Sequence, residues 1–296
     1  PLEYDSFDGE IEPIAACGDI RYRPGVDETN YLILAAIPVD EADAEVDKEV
    51  ILGSSGDVYS SRENLYVAES NYRWGIWEGG NSGLDEETVV HRFALDDGEI
   101  EYDAQGEVPG TILNQFSMDE DGDYFRLATT TGSTWDGSSK NNVFVLNKDL
   151  ELVGSLIGIA PGEDIYSVRF MGDRAYMVTF LQIDPFFVID LSNPANPAVL
   201  GELKIPGYSN YLHPFSEDLI IGIGKDAIAS DEDWWGTPLA WYQGMKMAMF
   251  DVSDVKNPKE LHTVTIGDRG TGSEVLHNHK ALLFDKEMGL MAFPVS

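Results

Sequence analysis

The chain of 296 residues has a single cysteine, Cys17, and little positive charge: 19 lysines and arginines stand against 53 aspartates and glutamates, a formal net charge of −34. One cysteine excludes an intrachain disulfide. It leaves a bond to another chain, a free thiol, or a small buried apolar residue, of which the last is the ordinary expectation. So few bases cannot neutralise a run of phosphates, which excludes nucleic-acid binding by counterion release, and an anionic membrane surface would repel the chain. No run of 18 apolar residues occurs, so no helical membrane span is expected. The start, Pro-Leu, has neither a charged leader nor an initiating Met, which fits a processed or excised part of a longer protein. Catalytic signatures are missing too: there is no GxSxG, no HExxH and no phosphate-binding glycine loop. No stretch of ten residues shows a convincing amphipathic helical period.

What is present is globular and periodic. Hydrophobic residues make up 43% and aromatics 11%, too many for a disordered acidic chain. Residues 185–200, PFFVIDLSNPANPAVL, repeat as 246–261, KMAMFDVSDVKNPKEL. Asp190, Ser192, Asn196 and Pro197 match Asp251, Ser253, Asn257 and Pro258, with no gap between the pairs. The pattern reads as an apolar strand ending in a turn, with Asp and Ser bonding nearby backbone and Asn-Pro fixing the next bend.

A second repeated element is a hairpin, at 57–70, 115–130, 166–180, 211–224 and 279–295. Each has two runs rich in Val, Ile, Leu, Phe and Tyr around a turn of Gly, Asp, Asn or Glu. A third apolar strand follows the first four, at 88–95, 142–147, 186–191 and 247–252, and a fourth follows in places, as at 199–205 and 260–266. A strand at 31–39 leads the set. Four short strands recurring in one order predict an all-β fold, a β-propeller of four-stranded antiparallel blades. Five hairpins and a partial N-terminal unit give an incomplete or atypically closed ring. The expectation is one domain, 1–296, with blade units near 19–70, 88–130, 142–180, 185–224 and 246–295.

Three segments carry a family resemblance: 166–227, YSVRFMGDRAYMVTFLQIDPFFVIDLSNPANPAVLGELKIPGYSNYLHPFSEDLIIGIGKDA, then 247–285, and more weakly 52–70, LGSSGDVYSSRENLYVAES. They resemble the secreted proteins that contain a C-terminal β-propeller domain distantly related to WD40 repeats. The grammar is also similar to the propeller repeats called LVIVD. The resemblance implies a prokaryotic protein, secreted or at the cell surface, and supplies no reaction.

With the hairpin strands called a and b and the outer ones c and d, the b–c and d–a connections lie at one end of the blades. The b–c loops, 70–87, 131–141, 181–184 and 225–246, hold all six tryptophans: Trp74, Trp77, Trp135, Trp234, Trp235 and Trp241. None is expected in a strand. A shared Trp-bearing face suits recognition of a sugar, a peptide or another subunit; the alternative is that long loops bury their own rings. Strand a offers a central channel lined by Tyr59, Gln115, Arg169, His213 and His279, either binding a polar or anionic ligand or bonding neighbouring blades. His277 and His279, on one face of a strand, form a weak metal pair. Asp119, Asp121 and Asp123 are the first choice for Ca²⁺ if any cofactor is bound, although an acidic hairpin turn explains them equally.

The leading functional expectation is therefore an extracellular or cell-surface, non-enzymatic module that binds a protein or carbohydrate through its Trp-bearing face. A structural subunit of a surface layer or filament, completed by neighbouring chains, is the first alternative. An enzyme acting on an extracellular polysaccharide is the second. The large negative charge reads as a solvated coat, with acids gathered at 40–49, 96–103, 119–123 and 231–233.

Overall fold

A computed structural model describes residues 3–5, 11–22, 30–40, 46–53, 56–76, 82–181, 184–230 and 239–296. The described chain is nearly all-β, its only helical pieces three short 3₁₀ turns, and it divides into two compact units. The first comprises Pro1–Val108 with Lys148–Glu151, and the second Pro109–Asn147 with Leu152–Ser296.

In the first unit, β1 (Glu3–Asp5) pairs with β2 (Ile11–Pro13). β3 (Ile20–Tyr22), β4 (Tyr31–Ala36) and β5 (Asp47–Leu52) form a three-stranded sheet. β6 (Asp57–Ser60), β7 (Asn64–Ile76), β8 (Ser82–Asp96) and β9 (Glu99–Pro109) form an antiparallel four-stranded sheet in sequence order. Ile51, Val67 and Phe93 are buried between the two sheets, with Leu32, Ile100 and Tyr102 packed around them. Cys17 lies in a turn ahead of β3 and is exposed, which corrects the expectation of a buried cysteine.

The second unit repeats the four-stranded sheet three times. The first blade is β10 (Met118–Asp121), β11 (Tyr124–Thr131), β12 (Lys140–Leu146) and β13 (Leu152–Ile159). The second is β14 (Asp164–Met171), β15 (Arg174–Phe180), β16 (Asp184–Asp190) and β17 (Ala198–Ile205). The third is β18 (Tyr208–Pro214), β19 (Leu219–Ser230), β20 (Leu239–Asp251) and β21 (Lys259–Ile266). A hairpin, β22 (Leu283–Asp285) and β23 (Leu290–Ala292), follows. The sheets run a-b-c-d from each hairpin, so units such as 88–130 straddle two of them.

The middle strands show why the fold takes this shape. β12 and β15 are buried at nearly every position, on both faces, as continuous apolar runs require. β17 and β9, at the outer edge, alternate in burial. Each sheet is thus covered on both sides along its middle and exposed at its rim. Phe186 of one blade stacks on Phe250 of the next at 4.7 Å, and neither ring is exposed. Gly122 and Gly172, at φ 60° and 53°, lead two-residue a–b turns whose backbone only glycine adopts cheaply.

The 61-residue repeat, which sets Asp190 against Asp251, is the c–d turn. Asp190 and Asp251 accept from the backbone N of Ser192 and Ser253, each at 3.0 Å. This turn plugs into the outer strand of the preceding blade. A Cβ on Gly154 would lie 2.3 Å from the Pro194 carbonyl oxygen, and one on Gly201 would lie 2.3 Å from that of Val255. Gly154 and Gly201 hold the same place, opposite Val145 and Val188, just after a β-bulge. In β21 that place, opposite Met249, belongs to the exposed His262.

The socket makes a prediction. Gly201→Ala should lower the unfolding free energy in chemical denaturation by about 1–3 kcal/mol, since rigid backbone must move. His262→Ala, at the empty equivalent position, should change it by less than about 0.5 kcal/mol. Equal effects would refute the socket.

Candidate functional site

In the second unit the b–c and d–a connections meet at one end of the blades. The loop 132–139 folds on its own side chains. Asp136 Oδ1 accepts from the backbone N of Ser138 at 3.0 Å, and from its hydroxyl. Ser133 Oγ accepts from Trp135 N at 3.2 Å. The Ser138 bonds hold the Asp136 carboxyl below the usual carboxylate range. So braced, the loop presents Trp135 with 99% of its surface exposed. It is tied to the next connection: Gly162 N donates to Ser139 O at 2.8 Å, and Asn141 Nδ2 donates to Glu163 O at 3.0 Å. Ala160, at φ 45°, sits in the left-handed region beside Gly158 and Gly162, so this connection is sharply bent.

Next to it lies an open cleft of about 440 Å³, lined by Pro161, Glu163, Leu181, Phe187, Glu202 and Lys204 among others. Burial pushes the Glu163 carboxyl up, against the opposing pull of a hydrogen bond from Thr179 and the charge of Lys204. Burial also raises the neighbouring Asp164. The cleft thus joins an apolar floor to two carboxylates and an ammonium, a mix that can hydrogen-bond hydroxyls.

Beyond the third blade, β19 and β20 continue as a two-stranded arm. Ile228 pairs with Trp241 and Ala227 with Tyr242. Ile228 and Trp241 are 59% and 44% exposed, and the Arg269 guanidinium lies 4.7 Å from the Trp241 ring centre. Tyr242 packs against Tyr208 at 5.3 Å and Phe180 at 6.1 Å. Burial, followed by the Tyr242 hydroxyl, pushes the Tyr166 phenol well above its ordinary value.

The six tryptophans expected outside strands divide differently. Trp135 is in a loop, but Trp241 belongs to β20 and the backbone of Trp74 to β7. Gly and acids in 70–87 and 225–246 suggest loops, yet Tyr72, Trp74, Ile228 and Trp241 carry the ladder past the blades. Trp77, Trp234 and Trp235, and the side chain of Trp74, lie outside the described residues.

Of the channel residues, Tyr59 is on β6 of the first unit, its ring 6.1 Å from that of Tyr66. The second unit brings Arg169, His213 and His279 together. Arg169 Nε donates to Leu212 O at 3.0 Å, and Nη2 to Tyr211 Oη at 3.1 Å. Tyr211 Oη lies 3.2 Å from His213 Nδ1. The Phe116 ring lies 4.4 Å from the guanidinium and 4.8 Å from His279. Gln115 and His279 are not on strand a, as the sequence suggested. Each sits in a 3₁₀ turn because an Asn before it, Asn114 or Asn278, caps the backbone N two residues on. Phe116, one residue past Gln115, makes the contact instead. Sequence reading also missed Tyr211, although it stands two residues before His213 on the same strand face.

His277 ends another 3₁₀ turn, so the strand-face pairing with His279 does not form. Asp119 and Asp121 lie on β10, and both bond to Arg126, the latter at 3.0 Å. Asp123 occupies the a–b turn. Among the described residues, no three His, Cys, Asp or Glu side chains converge to hold a metal.

A family model described as a beta propeller domain matches residues 3–296. The chain belongs to this family. An uncharacterized protein of Archaeoglobus fulgidus is 40% identical over 236 residues, 79% of this chain and 34% of that one. One from Methanocaldococcus jannaschii is 43% identical over 211 residues, 71% of this chain and 31% of that one. The chain thus spans about a third of these relatives' length. Among solved structures, the periplasmic gluconolactonase of Pseudomonas aeruginosa matches 88% of this chain and 94% of its own, at 11% identity and TM-score 0.40. The β-propeller domain of the Trilobed protease from Pyrococcus furiosus matches 71% and 57%, at 10% identity and TM-score 0.37. Likenesses this distant carry no chemistry across.

The His213 environment predicts a pH effect. Burial, then the Arg169 charge, lowers its pKa below 6.5. The unfolded chain therefore binds the proton more readily, and stability should fall as pH drops through 6.5 and level off below the folded value. His213→Gln should flatten that part of a pH series of denaturation midpoints. An unchanged slope would show that His213 is not its source.

Proposed function

We propose that this propeller is a non-enzymatic binding module for an extracellular carbohydrate, recognised at the b–c end of the second unit. The observation that carries the reading is the fully exposed Trp135, braced by its own loop and set against a connection that lines the cleft. A rigid, open aromatic face stacks on a sugar ring. Glu163, Glu202 and Lys204 supply acceptors and donors for hydroxyls. Trp241 and Ile228 on the arm extend the apolar surface at the same end. A secreted or surface location, a distant kinship with WD40 repeats and a single propeller domain over 1–296 belong to the same proposal. The acidic surface is compatible with life outside the cell.

One observation favours a second reading, hydrolysis of a polysaccharide. The Glu163 carboxyl in the cleft is raised, as a general acid must be. Glu202 lines the same cleft and is the available second carboxylate.

A glycan array followed by calorimetry on the best hit separates these. Trp135→Ala should weaken binding at least about tenfold, a loss of roughly 1.4 kcal/mol, with an unchanged melting temperature. Glu163→Gln should leave a bound glycan intact under the module reading. Turnover by the wild-type chain that Glu163→Gln abolishes would establish the enzyme instead. Binding of a protein but no glycan would overturn the carbohydrate assignment.

A further inference from the structure

The cluster around Arg169 lies nearer the a–b turns, apart from the Trp135 end, and the binding reading above does not use it. Among the described residues, the fully buried bases have carboxylate partners. Arg126 bonds Asp119 and Asp121, Arg92 bonds Asp103, and Lys246 bonds Glu260. Arg169 is different: among the described residues no carboxylate pairs with it. The acid whose charge it feels, Asp119, is held by Arg126. In a chain with 53 acids and 19 bases, a half-buried guanidinium without an acid is a costly arrangement.

Its surroundings explain what could relieve that cost. Phe116 and Tyr211 cover the guanidinium with ring centres at 4.4 and 5.6 Å. Nε and Nη2 spend one donor each on Leu212 O and Tyr211 Oη. Nη1 has no protein partner among the described residues and stays in contact with solvent. Tyr211 Oη accepts from Arg169, so its own proton can go to His213 Nδ1, leaving the imidazole proton on Nε2. His279 faces the same rings, stacked on Tyr211 at 6.2 Å and edge-on to Phe116 at 4.8 Å. Phe284 packs on His213 at 4.4 Å. The result is an open guanidinium edge, with two imidazoles beside it and an apolar aromatic rim.

We propose that Arg169, His213 and His279 form a second binding site, for a small organic carboxylate with an apolar tail. The planar guanidinium fork fits a carboxylate, and a point charge would not replace it. Burial depresses the pKa of both imidazoles; the Arg169 charge adds to it at His213, and the Lys280 charge, then that of Arg169, at His279, so Arg169 is the charge at the centre of the site and Lys280 a second one at its edge. The rings against the guanidinium suit a carboxylate with an apolar tail better than a strongly hydrated phosphate dianion. The rings of Phe116, Tyr211 and Phe284 take the tail.

The test uses the whole chain and benzoate as the probe, at neutral pH and about 0.15 M salt, where long-range repulsion by the acidic surface is screened. Imidazole proton resonances of His213 and His279 should shift saturably, with a Kd on the order of 1 mM. Arg169→Lys should weaken binding at least about tenfold. His279→Ala removes a half-buried ring from a short 3₁₀ turn, leaves the strands in place, and should weaken binding even if the Arg169 variant does not fold. Inorganic phosphate should compete poorly. No saturable shift with benzoate would overturn the proposal. So would unaltered binding in a folded Arg169→Lys or His279→Ala chain, or phosphate binding more tightly than benzoate.

Discussion

The second unit depends on a plug and a socket. A twisted four-stranded sheet can bury both faces only if its neighbours approach face to face, and the approach is closest at the outer strand. There the c–d turn of one blade enters the preceding blade, carbonyl first, where a glycine on strand d leaves room. Pro194 and Ala195 meet Gly154, and Val255 and Lys256 meet Gly201. These turn residues are themselves 61 apart, so the repeat in the sequence is the plug. Its Asp and Ser keep the turn in one conformation, and the Pro197 and Pro258 that follow send the chain into strand d. A comparable contact brings Leu150, itself at φ 58°, against Gly106 in the first unit.

Nearer the inner strands the blades are held by polar groups instead. Ser167 Oγ donates to Ser209 O at 2.6 Å, Arg126 Nη1 to Gly172 O at 2.7 Å and Arg169 Nε to Leu212 O at 3.0 Å. Each crosses from one blade to the next, and those of Ser167 and Arg169 end on carbonyls of buried residues. Arg169 shows that stitching blades and lining a site are compatible roles for one side chain. A guanidinium has five donors, and a blade-to-blade bond uses one of them.

Strand order and hairpins were legible in the sequence because period and turn chemistry act locally. The runs at 142–147 and 186–191 are β12 and β16 with ends shifted by a residue or two. The arms were not legible. Glycines and acids in 70–87 and 225–246 resemble loop composition, while the ladder there depends on cross-strand pairs such as Ile228 with Trp241. The 3₁₀ turns at Gln115 and His279 were hidden for a different reason. Hairpin alignment assumes strand up to the turn, and a single Asn cap outweighs that pattern over three residues. The socket glycines stand in the sequence without a signal, because what excludes a side chain there is the backbone of another blade.

The charge of −34 finds its explanation in the same geometry. Carboxylates take up work at the turns: Asp251 and Asp254 are held below the usual range by Ser253 and Asn257, and Asp136 by Ser138. Other carboxylates meet the buried bases, as Asp119 meets Arg126 and Glu260 meets Lys246. An acid at a turn needs no cation, since backbone N–H groups and hydroxyls neutralise it locally. A buried cation has no such substitute: carbonyls and rings lower its cost but leave the charge. Acids can therefore outnumber bases widely without strain, whereas a base drawn out of water needs an acid, as Arg126 and Lys246 have, or carbonyls and rings, as Lys225 and Arg169 have. The plug-and-socket turns account for part of the acidic excess, and the inner strands determine where a positive charge is left to act.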